Sequence, residues 1–166
     1  MRFAYADPPY LGQGRKLYGG THPEAHVWDD PEAHRALLAR LELHFPDGWA
    51  LSASSSSLRT LLPMAPPNVR VMAWVKPFAV FKPGVNPAYA WEPVLVMGGR
   101  RRGRDLPTVR DWCSVNVTLR RGLVGAKPAA FCEWLCDVLY VQPGDELVDL
   151  FPGTGAMGAA VAARVS

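Results

Sequence analysis

Short apolar runs alternate with amphipathic stretches along this chain, and the period of each predicts a strand or a helix. Residues 2–6 alternate with a period of two and stop at Asp7-Pro8-Pro9, where proline cannot donate to a ladder, so a strand leaves its sheet there. Residues 11–29 hold Gly12, Gly14, Gly19, Gly20 and Pro23 and read as a loop. Asp30-Pro31-Glu32 then supplies an N-cap, a first-turn proline and an acid near the positive end of a helix dipole. Leu37, Leu38, Leu41 and Phe45 continue at helical spacing up to Pro46. Further strands are predicted at 48–53, 69–75, 93–97, 115–119 and 146–150, with a short helix at 56–62. Segments 78–87 and 98–112 read as loops, the second basic and glycine-containing. Pro128 opens a helix to about Tyr140, and a glycine turn leads into a last helix at 156–164. Strands alternating with helices predict an α/β sheet covered by helices on both faces.

At 166 residues and 18.2 kDa, with 49% hydrophobic residues, the chain fits a single domain with a substantial core. It has no apolar run of about 18 residues, which excludes a membrane-spanning helix. Residues 1–7 lack an apolar h-region, so the expected location is the cytoplasm. Cys113, Cys132 and Cys136 are too few and too unevenly placed for a disulfide framework. Cys132 and Cys136 share a helical face without a nearby histidine, which suits core thiols better than zinc. Pro-Glu-Ala-His occurs at 23–26 and again at 31–34 as shared helix-start grammar. The pair His22 and His26 lacks the helical zinc pattern, because proline interrupts the turn, and no metal is expected.

Two strings carry chemistry. In Asp7-Pro8-Pro9-Tyr10, Asp7 offers a carboxylate, Pro8 a carbonyl stiffened in direction by the double proline, and Tyr10 a flat apolar face. An aromatic amine is a poor nucleophile because its lone pair is delocalised into the ring. Two acceptors with no competing donor would draw that nitrogen toward tetrahedral geometry. A base stacked on Tyr10 would gain roughly 1–3 kcal/mol. The second string, Leu147-Val148-Asp149-Leu150-Phe151-Pro152-Gly153-Thr154-Gly155-Ala156, runs from a strand through a glycine turn into a helix of small residues. Glycines admit a ligand close to the backbone, and helix-start amides favour a carboxylate. Gly158 completes a formal dinucleotide fingerprint, but the following strand with its acid is absent, and no phosphate-loop lysine follows.

Taken together, the chain resembles the S-adenosylmethionine-dependent amino-methyltransferases of restriction–modification systems and bacteriophages, in the permuted order that places the catalytic motif before the cofactor motif. Four landmarks occur in order: Asp7-Pro-Pro-Tyr10, the strand end Trp74-Val75-Lys76, the strand Glu92-Pro-Val-Leu95, and Lys127-Pro128 with its helix leading to Asp149-Leu-Phe-Pro-Gly153-Thr-Gly155. The resemblance implies a circularly permuted Rossmann-like methyltransferase fold with a mixed sheet. It implies that Asp7, Pro8, Pro9 and Tyr10 hold the target base. Asp149, Phe151, Gly153, Thr154 and Gly155 would bind S-adenosylmethionine, with Lys127 and Pro128 bordering that pocket. The implied reaction is methyl transfer to the 6-amino group of adenine in DNA by direct in-line attack. Cytosine-N4 enzymes overlap with the motif, adenine in RNA is an alternative substrate, and a silent nucleic-acid-binding or partner subunit is the reading from another class. Cytosine-C5 chemistry is disfavoured, because Trp112, Phe131 and Leu135 stand where that mechanism has a proline before its cysteine. The family has a further strand whose terminal acid binds the cofactor ribose. This sequence reaches Ser166 before it, as a short form or a truncated chain.

The net charge of +3 says little about partners, but its distribution says more. Seven of the 14 arginines fall between Arg100 and Gly122. Arg100, Arg101, Arg102 and Arg104 are candidate phosphate contacts, with Arg120 and Arg121 behind them. Arg15, Lys16 and Tyr18, in the segment that would cover an extruded base, are candidate strand contacts. The expected partner is DNA with a flipped adenine. Two copies of the chain forming a homodimer would be compatible with this reading.

Overall fold

A computed structural model describes residues 1–20, 22–78, 83–117 and 126–165. Its centre is a six-stranded mixed sheet: β1 (Arg2–Ala6), β2 (Gly48–Ser52), β3 (Arg70–Val75), β4 (Trp91–Gly98), β5 (Trp112–Ser114) and β6 (Glu146–Asp149). The order across the sheet is β5-β3-β4-β2-β1-β6. β1 runs parallel to β2 and β6, and β3 runs parallel to β5. β4 is antiparallel to both its neighbours, so its first residues lie at the carboxyl ends of the other strands.

The helices are α1 (Gly14–Tyr18), α2 (Pro31–His44), α3 (Leu58–Leu61), α4 (Ala129–Leu139) and α5 (Ala156–Val165). Strand periodicity divides the core between the two faces of the sheet. Phe3 and Tyr5 of β1 face a cluster with Trp74, Val94, Phe131, Leu135 and Met157, under α4 and α5. Ala4 and Ala6 face Leu37, Leu38, Leu41, Trp49 and Leu51, under α2. β1 is buried from Phe3 to Ala6, as a strand covered on both faces must be.

Local chemistry fixes the ends of the helices. The Asp30 side chain accepts from the Glu32 amide at 3.0 Å and caps α2, which Pro31 opens. Pro128 caps α4, and Tyr140 ends it in the left-handed region at φ 54°. Along α4, Phe131, Cys132, Leu135, Cys136 and Leu139 are buried, so two of the three cysteines are core thiols.

The fold departs from expectation in two places. Segment 11–29 contains α1 and a 3-10 helix at Pro23–Asp29. Glycine and proline content suggested a loop, but Asp29 Oδ1 and Oδ2 accept from the amides of Gly14 and Arg15 at 2.7 and 3.0 Å and cap α1 from a distance. Gly14 is obligatory there, because a Cβ would meet the Ala25 carbonyl oxygen at 2.0 Å. The strand expected at 115–119 lies earlier, at Trp112–Ser114. Val115 carries the pairing one step further, its amide donating to the Val75 carbonyl at 3.0 Å, and Val115 and Val117 both pack against the core. Residues 118–119 and the candidates Arg120 and Arg121 lie outside the described residues. Among the described residues no helix is long and apolar enough to cross a membrane, and no group of three or more potential ligands could hold a metal ion.

Candidate active site

Strand register brings the two sequence motifs together. Tyr5 of β1 pairs with Asp149 of β6, and the Leu150 amide continues that ladder by donating to the Tyr5 carbonyl at 2.9 Å. Asp7 leaves β1 immediately beyond this pair. The Asp7–Tyr10 string and the glycine turn therefore emerge side by side from adjacent parallel strands, at the end of an α/β sheet where ligands generally bind.

Around Asp7 lies a charged network assembled from four elements. Lys127, at the entry to α4, places Nζ 2.8 Å from Asp7 Oδ1 and 3.2 Å from the Tyr10 hydroxyl. Tyr10 donates its hydroxyl proton to Glu92 Oε2 at 2.6 Å, and Glu92 Oε1 accepts from Lys76 Nζ at 2.8 Å. Nζ of Lys127 is 3.7 Å from Glu92 Oε2. The same ammonium lies 5.5 Å from the ring centroids of both Tyr10 and Trp74, a cation–π setting. Trp74 is itself held by its indole N–H donating to the Val115 carbonyl at 2.8 Å. Two carboxylates and two ammoniums balance, which is how a nearly dry site tolerates four charges.

The titration of these groups follows from that environment. Burial raises the pKa of Asp7 despite the opposing pull of Lys127. Burial also works against the Lys127 ammonium, but Asp7 and Glu92 overcome it and the pKa of Lys127 rises. Glu92 likewise resists burial, and Lys127 and Lys76 hold its pKa low. Burial and the two carboxylates push the Tyr10 phenol well above its ordinary range, so it remains a donor. Burial raises the pKa of the Tyr18 phenol, and the Asp7 charge adds to the rise.

The glycine turn has its own geometry. Asp149 Oδ1 accepts from the Phe151 amide at 3.1 Å, and burial raises the pKa of Asp149. Gly153 and Gly155 hold φ at 46° and 74°, and no neighbour would crowd a Cβ at Gly155. Backbone conformation, not crowding, demands glycine there. Thr154 is exposed between them, and α5 begins at Ala156. Phe151 packs edge-on against Trp28 with ring centroids 5.1 Å apart, tying the segment after Asp7–Tyr10 to the turn. Pro8 and Pro128 are buried, and Pro9 is partly covered.

Lys127 thus stands in the Asp7 network, not simply at the border of the turn. Glu92 and Lys76 belong to the network although sequence reading gave them no role; their place in the Trp-Lys and Glu-Pro landmarks was the available signal. The basic loop divides. Arg100 makes two contacts to Asp145, at 2.6 and 2.7 Å. Arg102 donates to the Asp137 carbonyl at 2.9 Å and lies 4.2 Å over the Tyr140 ring. Arg101 and Arg104 are exposed, as are Arg15 and Lys16 on α1.

No protein-family model matches the chain, and no curated protein sequence does. Solved structures do. M1.HpyAVI in complex with S-adenosylmethionine superposes with a TM-score of 0.63 at 18% identity, covering 99% of this chain and 78% of that one. TTHA0409 of Thermus thermophilus, described as a proposed DNA modification methylase and complexed with S-adenosyl-L-methionine, gives 0.56 at 18% identity over 97% and 76%. At this identity the likeness establishes architecture, and the chain shares the helix-flanked mixed-sheet fold of these two proteins.

Proposed function

We propose that this chain transfers a methyl group from S-adenosylmethionine to the exocyclic 6-amino group of adenine in DNA. The observation that carries the reading is the Tyr5–Asp149 register, which sets Asp7 and the 149–155 turn next to each other at one sheet end. The shared fold with proteins solved in complex with that cofactor supports it.

The residues present suit the cofactor. The Gly153–Gly155 backbone and the amides opening α5 would receive its methionine carboxylate, with Asp149, Phe151 and Thr154 bordering the remainder. When bound, S-adenosylmethionine supplies a methyl group made electrophilic by its sulfonium. The chain's own part is positioning and electrostatics. Asp7 and the Pro8 carbonyl accept hydrogen bonds from the amine and concentrate its lone pair, while Tyr10 supplies a stacking face. A paired adenine cannot reach this site, so the base must leave its stack. Arg15, Lys16 and Tyr18 on α1, with Arg101 and Arg104 of the basic loop, are the proposed contacts to the strand.

Calorimetric titration of S-adenosylmethionine tests the cofactor half of this reading. Saturable binding to the wild type and its loss in Gly155→Val, where a branched side chain meets a positive φ, is the expected outcome. Binding that survives Gly155→Val would remove the turn from the cofactor site.

A further inference from the structure

The amine-activating carboxylate already has a partner. Asp7 Oδ1 accepts from Lys127 Nζ at 2.8 Å, and an ammonium at that distance offsets much of the carboxylate's attraction for a further donor. An aromatic amine arriving at Asp7 would find a weakened acceptor unless Lys127 slackened its hold. The Lys127 side chain is only 8% exposed, so its charge cannot escape to water.

A second acceptor is in place. Glu92 Oε2 lies 3.7 Å from Nζ, beyond hydrogen-bond range but within reach of a small shift. Among the described residues, Asp7 and Glu92 are the two carboxylates paired with this ammonium. Glu92 is held ready by Lys76 on Oε1, and the Tyr10 hydroxyl already points at Oε2. The rings of Tyr10 and Trp74, equidistant from Nζ, offer the cation two aromatic faces along the way.

We infer that Glu92 is a positioning residue that takes over Lys127 when the target amino group engages Asp7, so that base entry exchanges one hydrogen bond for another inside the site. The inference rests on the methyl-transfer reading above and deepens it. It also defines the substrate class. With two carboxylates balancing two ammoniums, the exchange admits a neutral amino group on a planar heterocycle. An alkyl ammonium would bring an uncompensated charge, and the site excludes it.

A double-mutant cycle tests this, with methyl transfer to adenine-containing DNA as the rate. Glu92→Gln keeps an acceptor for Tyr10 but removes the charge that receives Lys127. It should lower kcat by about 10- to 100-fold, the scale of a charge-assisted hydrogen bond, while calorimetric affinity for S-adenosylmethionine stays unchanged. In a Lys127→Met background the same substitution should have little further effect, because the cation to be received is gone. Should Lys127→Met fail a thermal-melt check for folding, Lys127→Gln replaces it. Equal losses in both backgrounds would overturn the exchange while leaving methyl transfer intact. A wild type that methylates no nucleic acid would overturn the functional reading, and the exchange with it.

Discussion

Lys127 Nζ sits 2.8 Å from Asp7 Oδ1, although 120 residues separate the two in the chain. This pairing joins the strand exit after β1 to the entry of α4 and defines the centre of the site. Asp7→Asn removes the charge proposed to concentrate the amine lone pair and should lower methyl transfer by about 100- to 1000-fold, the scale of losing one preorganised electrostatic interaction. A thermal melt within a few degrees of wild type would show that the fold is spared. Retained transfer would end the role assigned to Asp7.

The strand exit at Asp7-Pro8-Pro9 and the glycine turn at 153–155 were legible because each is local and declares its backbone geometry in a few residues. The Asp7–Lys127 pairing was not, since it depends on how α4 docks against the sheet. Glu92 reaches the site only because β4 runs antiparallel and begins where its neighbours end, a reversal that periodicity does not encode. α1 was hidden for a similar reason, as its cap comes from Asp29, fifteen residues beyond Gly14. In the basic loop, the sequence displayed charges without their partners, and Asp145 and Asp137 engage two of the arginines.

The acid limb of the pH–rate profile should report Asp7. Burial raises its folded pKa above the ordinary 3.8, and transfer requires the ionised form, so activity falls as pH drops through that raised value. Lys127 opposes the shift, so Lys127→Met should move the limb to still higher pH. A limb at or below the ordinary carboxylate value, or one that moves down in Lys127→Met, would contradict the assignment.

Asp145 makes a separate prediction about stability. Its carboxylate accepts from the Met1 amino group at 2.7 Å, from Arg100, and from the Gln142 amide at 2.9 Å. Burial alone would raise its pKa, but these donors lower it from 3.8 to about 2. A depressed folded pKa contributes stability that is present above the unfolded value and is lost as pH falls through the folded one. Wild type should therefore lose stability between about pH 4 and pH 2, and Asp145→Asn should flatten that window. At neutral pH the substitution should cost about 2 kcal/mol, the scale of hydrogen bonds to a charged group. Denaturant titrations across pH check both statements.

The basic loop should separate by function. Reversing Arg101 and Arg104 to glutamate should weaken DNA binding and flatten its salt dependence by about 0.9 in log–log slope for each phosphate no longer neutralised. Their exposure predicts an unchanged melting temperature. Arg100→Glu should instead lower the melting temperature, because it faces Asp145 with a like charge. Unchanged DNA affinity in the double reversal would remove this loop from the interface.

In the proposed function, Asp7 and the 149–155 turn form one amine-methylating site. Its most direct test is incubation of the wild type with methyl-labelled S-adenosylmethionine and mixed-sequence DNA, followed by nucleoside mass spectrometry. Labelled N6-methyldeoxyadenosine is expected with the wild type and none with Asp7→Asn. Label on cytosine N4 alone would move the target while keeping the site; no labelled base, together with no S-adenosylmethionine binding, would contradict the assignment.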